Sequence, residues 1–191
     1  MGRPARSRSS SLRTTAFTLA SVVLFGSGCA GGKDQPERAA PVAVSAKAPQ
    51  LRGEDVDGRD AESGGRPVLL AFLRPTADNG SKELAAARSS AVVAQSMATQ
   101  YGANGLRVVI ADTAGTKADA DALINLAYDW HLDGVQLLTA EAAGEATAQY
   151  GVATTPTTYL IGPDGTVLQR WDSTLSAQAV GPAVQHAIEG S

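Results

Sequence analysis

Val68-Leu69-Leu70-Ala71-Phe72-Leu73 is an uninterrupted apolar run of strand length, introduced by Pro67 and followed by the loop residues Arg74 to Gly80. A strand that is apolar at every position has no solvent face, so it must be covered on both sides. The chain around it alternates in kind. Ser81 to Gln100 is Ala-rich and helix-forming, with Leu84, Ala87, Ala91, Ala94, Ala98 and Tyr101 recurring at steps of three and four. Leu106 to Ala111 is again strand-like. Thr116-Lys117-Ala118-Asp119 has the form of a capping box and opens a helix with Ala120, Leu123, Ile124 and Ala127 on its buried side.

Val135 to Leu138 is a short strand, and Thr139 is the N-cap of a helix that reaches Tyr150 and stops at Gly151. Thr157 to Ile161 and Thr166 to Leu168 flank the turn Gly162-Pro163-Asp164-Gly165, which makes them an antiparallel pair. The last helix spans about Ser176 to Ile188, and Gly181-Pro182 places the start of its regular part at Pro182. The order β-α-β-α-β-α-β-β-α makes an α/β domain with a central mixed sheet flanked by helices. Ala and Gly carry much of the apolar count, so the core is built from small side chains.

The N-terminal part is an address and a tether. Residues 1–13 carry four arginines, Arg3, Arg6, Arg8 and Arg13, and residues 14–25 (TTAFTLASVVLF) are uncharged. A dozen residues fit a signal h-region and fall short of the ~20 needed to span a bilayer as a helix. Gly26-Ser27-Gly28-Cys29 then ends in the only cysteine of the chain. This stretch resembles the lipobox of bacterial lipoproteins, which implies removal of residues 1–28 and acylation of Cys29; Gly26 departs from the aliphatic residue usual there. The alternative is an ordinary signal peptide cut elsewhere, leaving Cys29 lost or a free thiol. Residues 29–47 follow as lipidated cysteine and flexible tether, with 48–189 as the folded domain. The expected place is the extracytoplasmic face of a cell membrane, held by lipid on Cys29. Without residues 1–28 the chain has 12 basic against 19 acidic residues and no basic stripe, which excludes nucleic acid as a partner.

Four segments carry a resemblance to a family. They are Ala48-Pro49 with Asp57-Gly58, the run Pro67 to Leu73, the stretch Tyr150-Gly151-Val152-Ala153-Thr154-Thr155-Pro156-Thr157-Thr158-Tyr159-Leu160-Ile161, and Gly162 to Gly165. Together they resemble the TlpA/redoxin (AhpC/TSA-like) branch of the thioredoxin-like superfamily over residues 48–189. The resemblance implies a thioredoxin fold with an N-terminal extension hairpin. It further implies a cis peptide before Pro156, which packs beside the active-site loop, and a backbone at Thr155 that pairs with an extended substrate.

The same family places W-C-x-x-C between the first strand and the long helix, where the helix N-terminus lowers the thiol pKa. Here those cysteine positions fall on Ala77 and Gly80, or on Asp78 and Ser81, and Thr76 stands where tryptophan would be in the first register. Neither register holds sulfur, and one cysteine cannot form an intramolecular disulfide. Ser81 reads as an N-cap rather than a nucleophile, since no histidine lies near it in sequence. His131 and His186 are isolated, and Asp119, Asp121 and Asp129 read as solvated charge; no metal or cofactor is expected. The expected role is non-catalytic binding of an extended peptide or an envelope protein. One alternative is the thiol-disulfide or peroxidase activity implied by the resemblance. Another is a structural lipoprotein with no ligand at the old site.

Overall fold

The computed structural model describes residues 39–61, 64–75, 80–114 and 120–190. Five strands, β1 (Val68–Leu73), β2 (Arg107–Asp112), β3 (Val135–Leu137), β4 (Thr157–Ile161) and β5 (Val167–Trp171), form one sheet in the order β3-β2-β1-β4-β5. β1 pairs parallel with β2 and antiparallel with β4, so it sits in the centre, and all six of its residues are buried. Period-two alternation divides its side chains between two cores. Leu69, Ala71 and Leu73 join the cluster under α1 (Lys82–Tyr101) and α4 (Ala177–Glu189). Val68, Leu70 and Phe72 join Tyr159, Ile161 and the helix α3 (Ala140–Gln149).

The alanine stripe does what its spacing implies. Ala87, Ala91, Ala94 and Ala98 are buried on α1, joined by Ser90 and Met97, while Leu84 and Tyr101 are half-buried at its ends. Ala142, Ala143 and Ala146 form the matching face of α3. Short side chains bring both helices close to the sheet, and burial of many small groups replaces burial of a few large ones. Ser81 Oγ accepts from Leu84 N at 3.0 Å and Thr139 Oγ1 from Ala142 N at 3.4 Å, so both expected caps are formed.

Two local expectations are corrected. On α2 (Ala120–Asp129) Leu123 is buried, but Ile124 is 43% exposed. Leu126 and Trp130 pack on the core beside the expected Ala127, so the contact stripe is turned away from Ile124. The regular part of α4 begins at Ala177, not at Pro182, and runs through the proline. Val180 lies before it and Val184 and Ala187 after it, all buried, and packing on both sides keeps the helix continuous past a missing backbone donor. Residues 116–119, the expected capping box, lie outside the described residues.

The segment before β1 pairs with the start of one edge strand, β5, and with the other edge strand, β3. Ser45 N donates to Val167 O at 2.8 Å, Val167 N to Ala46 O at 2.9 Å and Ala48 N to Gly165 O at 2.9 Å, which covers the start of β5. Lys47 Nζ reaches Asp164 Oδ2 at 2.9 Å, and the Thr166 hydroxyl and amide together with Lys47 hold that carboxyl well below the usual range. Residues 42–47, assigned from sequence to the tether, are therefore part of the folded body. Farther on, the hairpin expected around Asp57-Gly58 is present as a tight turn with a single bridge, Glu54 to Asp60. The buried Asp55 carboxylate accepts from Asp57 N and Arg59 N at 3.0 and 2.9 Å, which shapes that turn. Val56 N then donates to Leu137 O at 2.8 Å and covers β3. Unpaired edges invite foreign strands, and here one chain segment blunts both.

Candidate functional site

The site lies where β1 ends, α1 begins and the chain enters β4. The register Phe72 to Thr157 sets the residues just before β4 beside the exit of β1. The peptide between Thr155 and Pro156 is cis, as the resemblance implies. Pro156 is buried and Thr155 half-buried, and neither the N–H nor the C=O of Thr155 is hydrogen-bonded among the described residues. Gly80, with φ +82°, and Ser81 stand at the N-terminus of α1, and the Ser81 hydroxyl is engaged as its cap. Ala77 and Asp78 lie outside the described residues, as does Cys29.

A polar relay supports the turn from the β4–β5 side. Thr157, almost fully buried, places Oγ1 2.8 Å from Thr154 O and 3.2 Å from Asp172 Oδ1. Arg170 donates to the same carboxylate oxygen from Nε at 2.8 Å and from Nη2 at 2.7 Å. Its guanidinium carbon sits 5.6 Å from the centre of the Tyr159 ring, a cation–π contact. Below lies an aromatic cluster. Tyr150 and Tyr159 have ring centres 5.1 Å apart, and Phe72 meets them at 5.4 and 6.0 Å. Tyr150 donates its hydroxyl to Pro49 O at 2.9 Å.

None of Tyr150, Arg170 and Asp172 stood out in the sequence as a site residue. The available signal was that Tyr150 and Tyr159 straddle Thr154-Thr155-Pro156; the Arg-x-Asp pair carries none. Among the described residues Thr158 Oγ1, which is buried, has no hydrogen-bond partner. His131 is exposed at φ +53° where α2 ends, and His186 is exposed on α4. Among the described residues no group of three His, Cys, Asp or Glu side chains could hold a metal ion.

Burial raises the pKa of Tyr150, with the neighbouring Tyr159 adding to it; burial also raises Tyr159, while Arg170 opposes the shift. The folded state therefore holds these phenolic protons more tightly than the unfolded chain, whose tyrosines titrate near pH ~10. The stability tied to them is fully present below that pH and is lost as the pH rises above it. Urea melts between neutral and strongly alkaline pH should show that loss, with a shallower slope in Tyr150→Phe. Equal slopes in the two proteins would assign the loss to other groups.

No protein-family model and no curated protein matches this sequence. Solved structures do. A candidate thiol:disulfide interchange protein DsbE of Chlorobium tepidum aligns with TM-score 0.62 and 21% identity, over 77% of this chain and 99% of that one. A thiol:disulfide interchange protein of a Bacteroides species aligns with TM-score 0.60 and 16% identity, over 78% and 93%. A peroxiredoxin-like protein of Aquifex aeolicus aligns with TM-score 0.61 and 10% identity, over 78% and 90%. With β1 in the centre of a mixed sheet, helices on both faces and a cis-proline opening β4, the chain has a thioredoxin fold.

Proposed function

We propose that the chain is a lipid-anchored, extracytoplasmic binding module that holds an extended peptide or envelope protein at Thr155 without thiol chemistry. One observation carries this reading. Among the described residues the Thr155 main chain is unpaired, and its turn is braced by the Thr157–Asp172–Arg170 relay, in a chain whose single cysteine is Cys29. An extended ligand adding as a strand needs only main-chain donors and acceptors on a rigid edge. Dithiol exchange needs two sulfurs, at Ala77 and Gly80 or at Asp78 and Ser81, and neither pair of positions holds one. The anchor rests on the uncharged run 14–25 ending at Cys29.

The second reading is the thiol-disulfide or peroxidase activity of the structural neighbours, with a free Cys29 as the reacting thiol. Insulin-reduction and peroxide-consumption assays on the full chain separate the two. The expected rate is that of the buffer alone; turnover abolished by Cys29→Ser would establish the second reading. Binding is tested with carboxymethylated insulin B chain as an unfolded probe and a photoreactive residue at the exposed Ala153. Capture there, with none from a photoreactive residue at Glu189, is the expected result. Equal capture at both positions, or none at either, rejects the binding role.

A further inference from the structure

Residues 39–48 form a strap that is fastened to both ends of the turn carrying Thr155. At the near end the main chain of Ala39 and Ala40 packs against Gly151, so closely that a Cβ there would meet both carbonyl groups. Val42 N donates to the preceding Tyr150 O at 3.3 Å. The strap then turns at Ser45, with φ +69°, and pairs with the start of β5 through Ser45 N, Ala46 O and Ala48 N. At the far end Asp172, just beyond β5, holds Thr157 Oγ1, which also donates to Thr154 O. Strap, β5, relay and turn therefore close a ring, and Thr155 lies on it.

The strap is docked shallowly. Val42 and Ala48 are half-buried against the Tyr150 cluster, whereas Val44 is exposed and the Lys47–Asp164 ion pair lies in solvent. Exposed ion pairs hold little, and a segment with few buried apolar groups opens before the domain unfolds. When the strap leaves, the turn keeps its fastening at Thr157 and loses the one at Gly151.

We infer that the strap regulates the Thr155 site: docked, it holds the turn ready to pair with an extended peptide, and released, it lets the turn loosen. The inference rests on the binding role proposed above. A ligand that needs an ordered turn gains affinity from whatever orders the turn first. Such coupling is reciprocal, so the bound peptide also holds the strap down. Residues 39–48 lie between Cys29 and the site in sequence, so in an anchored chain a pull from the membrane reaches the domain through the strap.

Two variants set the strap in opposite states, both in the full chain carrying Cys29→Ser. Ser45→Pro removes the N–H given to Val167 O and cannot take φ +69°, so it releases the strap at an exposed position. Lys47 and Thr166 face each other in an antiparallel bridge, flanked by the bonds Val167 N to Ala46 O and Ala48 N to Gly165 O. That is the closely spaced, non-hydrogen-bonded kind of pair, so Lys47→Cys with Thr166→Cys can form a disulfide that locks the strap.

Anisotropy of labelled carboxymethylated insulin B chain reads affinity, and hydrogen exchange at residues 152–155 reads the turn. Ser45→Pro is expected to weaken binding about tenfold or more and to speed exchange there. The oxidised double variant should bind at least as tightly as the parent and exchange more slowly. In the parent, saturating probe should slow proteolysis within residues 39–48. Parent-like affinity and exchange in Ser45→Pro, with proteolysis indifferent to the probe, overturn the inference and leave the binding role standing. No binding by either the parent or the locked variant overturns both. If Ser45→Pro does not fold, proteolysis unchanged by bound probe is sufficient to overturn the inference.

Discussion

Replacing Tyr150 with alanine is expected to destabilise the domain by about 3–5 kcal/mol, the range for truncating a large buried aromatic side chain. Tyr150 is fully buried, and it joins three parts of the fold that share no sequence neighbourhood. Its ring packs on Phe72 of the central strand and on Tyr159 of β4, and its hydroxyl ties down Pro49 of the N-terminal segment. Its own carbonyl accepts from Val42 N at 3.3 Å and Tyr159 Oη at 3.4 Å. The surrounding helices present mainly alanine, whose short side chains cannot swing in to fill a cavity of this size.

Tyr150→Phe keeps the ring and removes one hydrogen bond, so about 1 kcal/mol is expected there. Over a domain of this size the alanine variant should melt about 10 °C lower. Urea and thermal denaturation of the two variants decide the matter. A loss below about 1 kcal/mol in Tyr150→Ala would mean that the aromatic cluster is not the keystone of this face.

The parts of this fold that were legible in the sequence are those fixed by short-range rules. VLLAFL can only be a strand covered twice, Ser81 and Thr139 sit one residue before their helices, and Gly162-Pro163-Asp164-Gly165 can only turn. What stayed hidden depends on contacts between distant residues. The rotation of α2 that exposes Ile124 follows from where Leu126 and Trp130 find the core, which periodicity over ten residues does not determine. Pro182 reads as a helix start by local chemistry, and tertiary burial of Val180 overrides it. The pairing of residues 45–48 with β5 was hidden because that stretch has a linker's composition, and its hydrogen bonds are main-chain ones that any sequence could make.

The candidate site divides in the same way. Thr155 and Pro156 were visible through a continuous motif, whereas Arg170 and Asp172 act only because β5 lies beside β4.

Gly151 is where the N-terminal segment and the Thr155 loop meet, and Gly151→Ala is expected to cost about 2–5 kcal/mol, from left-handed strain plus overpacking. It ends α3 at φ +61°, with Val152 N donating to Thr147 O at 3.1 Å and Gly151 N to Ala148 O at 3.2 Å, a Schellman closure. A side chain there is strained by the backbone alone. It also has nowhere to go, because a Cβ would overlap the carbonyl oxygen of Ala39 and lie 2.5 Å from the carbonyl carbon of Ala40.

Gly165 separates the two causes. It has a similar φ of +80°, but nothing lies within 4 Å of its would-be Cβ, so Gly165→Ala should cost only the backbone strain of about 1–2 kcal/mol. The excess in Gly151→Ala measures the contact with residues 39–40. That contact lies four residues before Thr155, so its loss should also loosen the loop. Limited proteolysis within residues 39–48 should accelerate in Gly151→Ala and not in Gly165→Ala. Equal stability losses with unchanged cleavage in both would show that the N-terminal segment does not bear on Gly151 in solution.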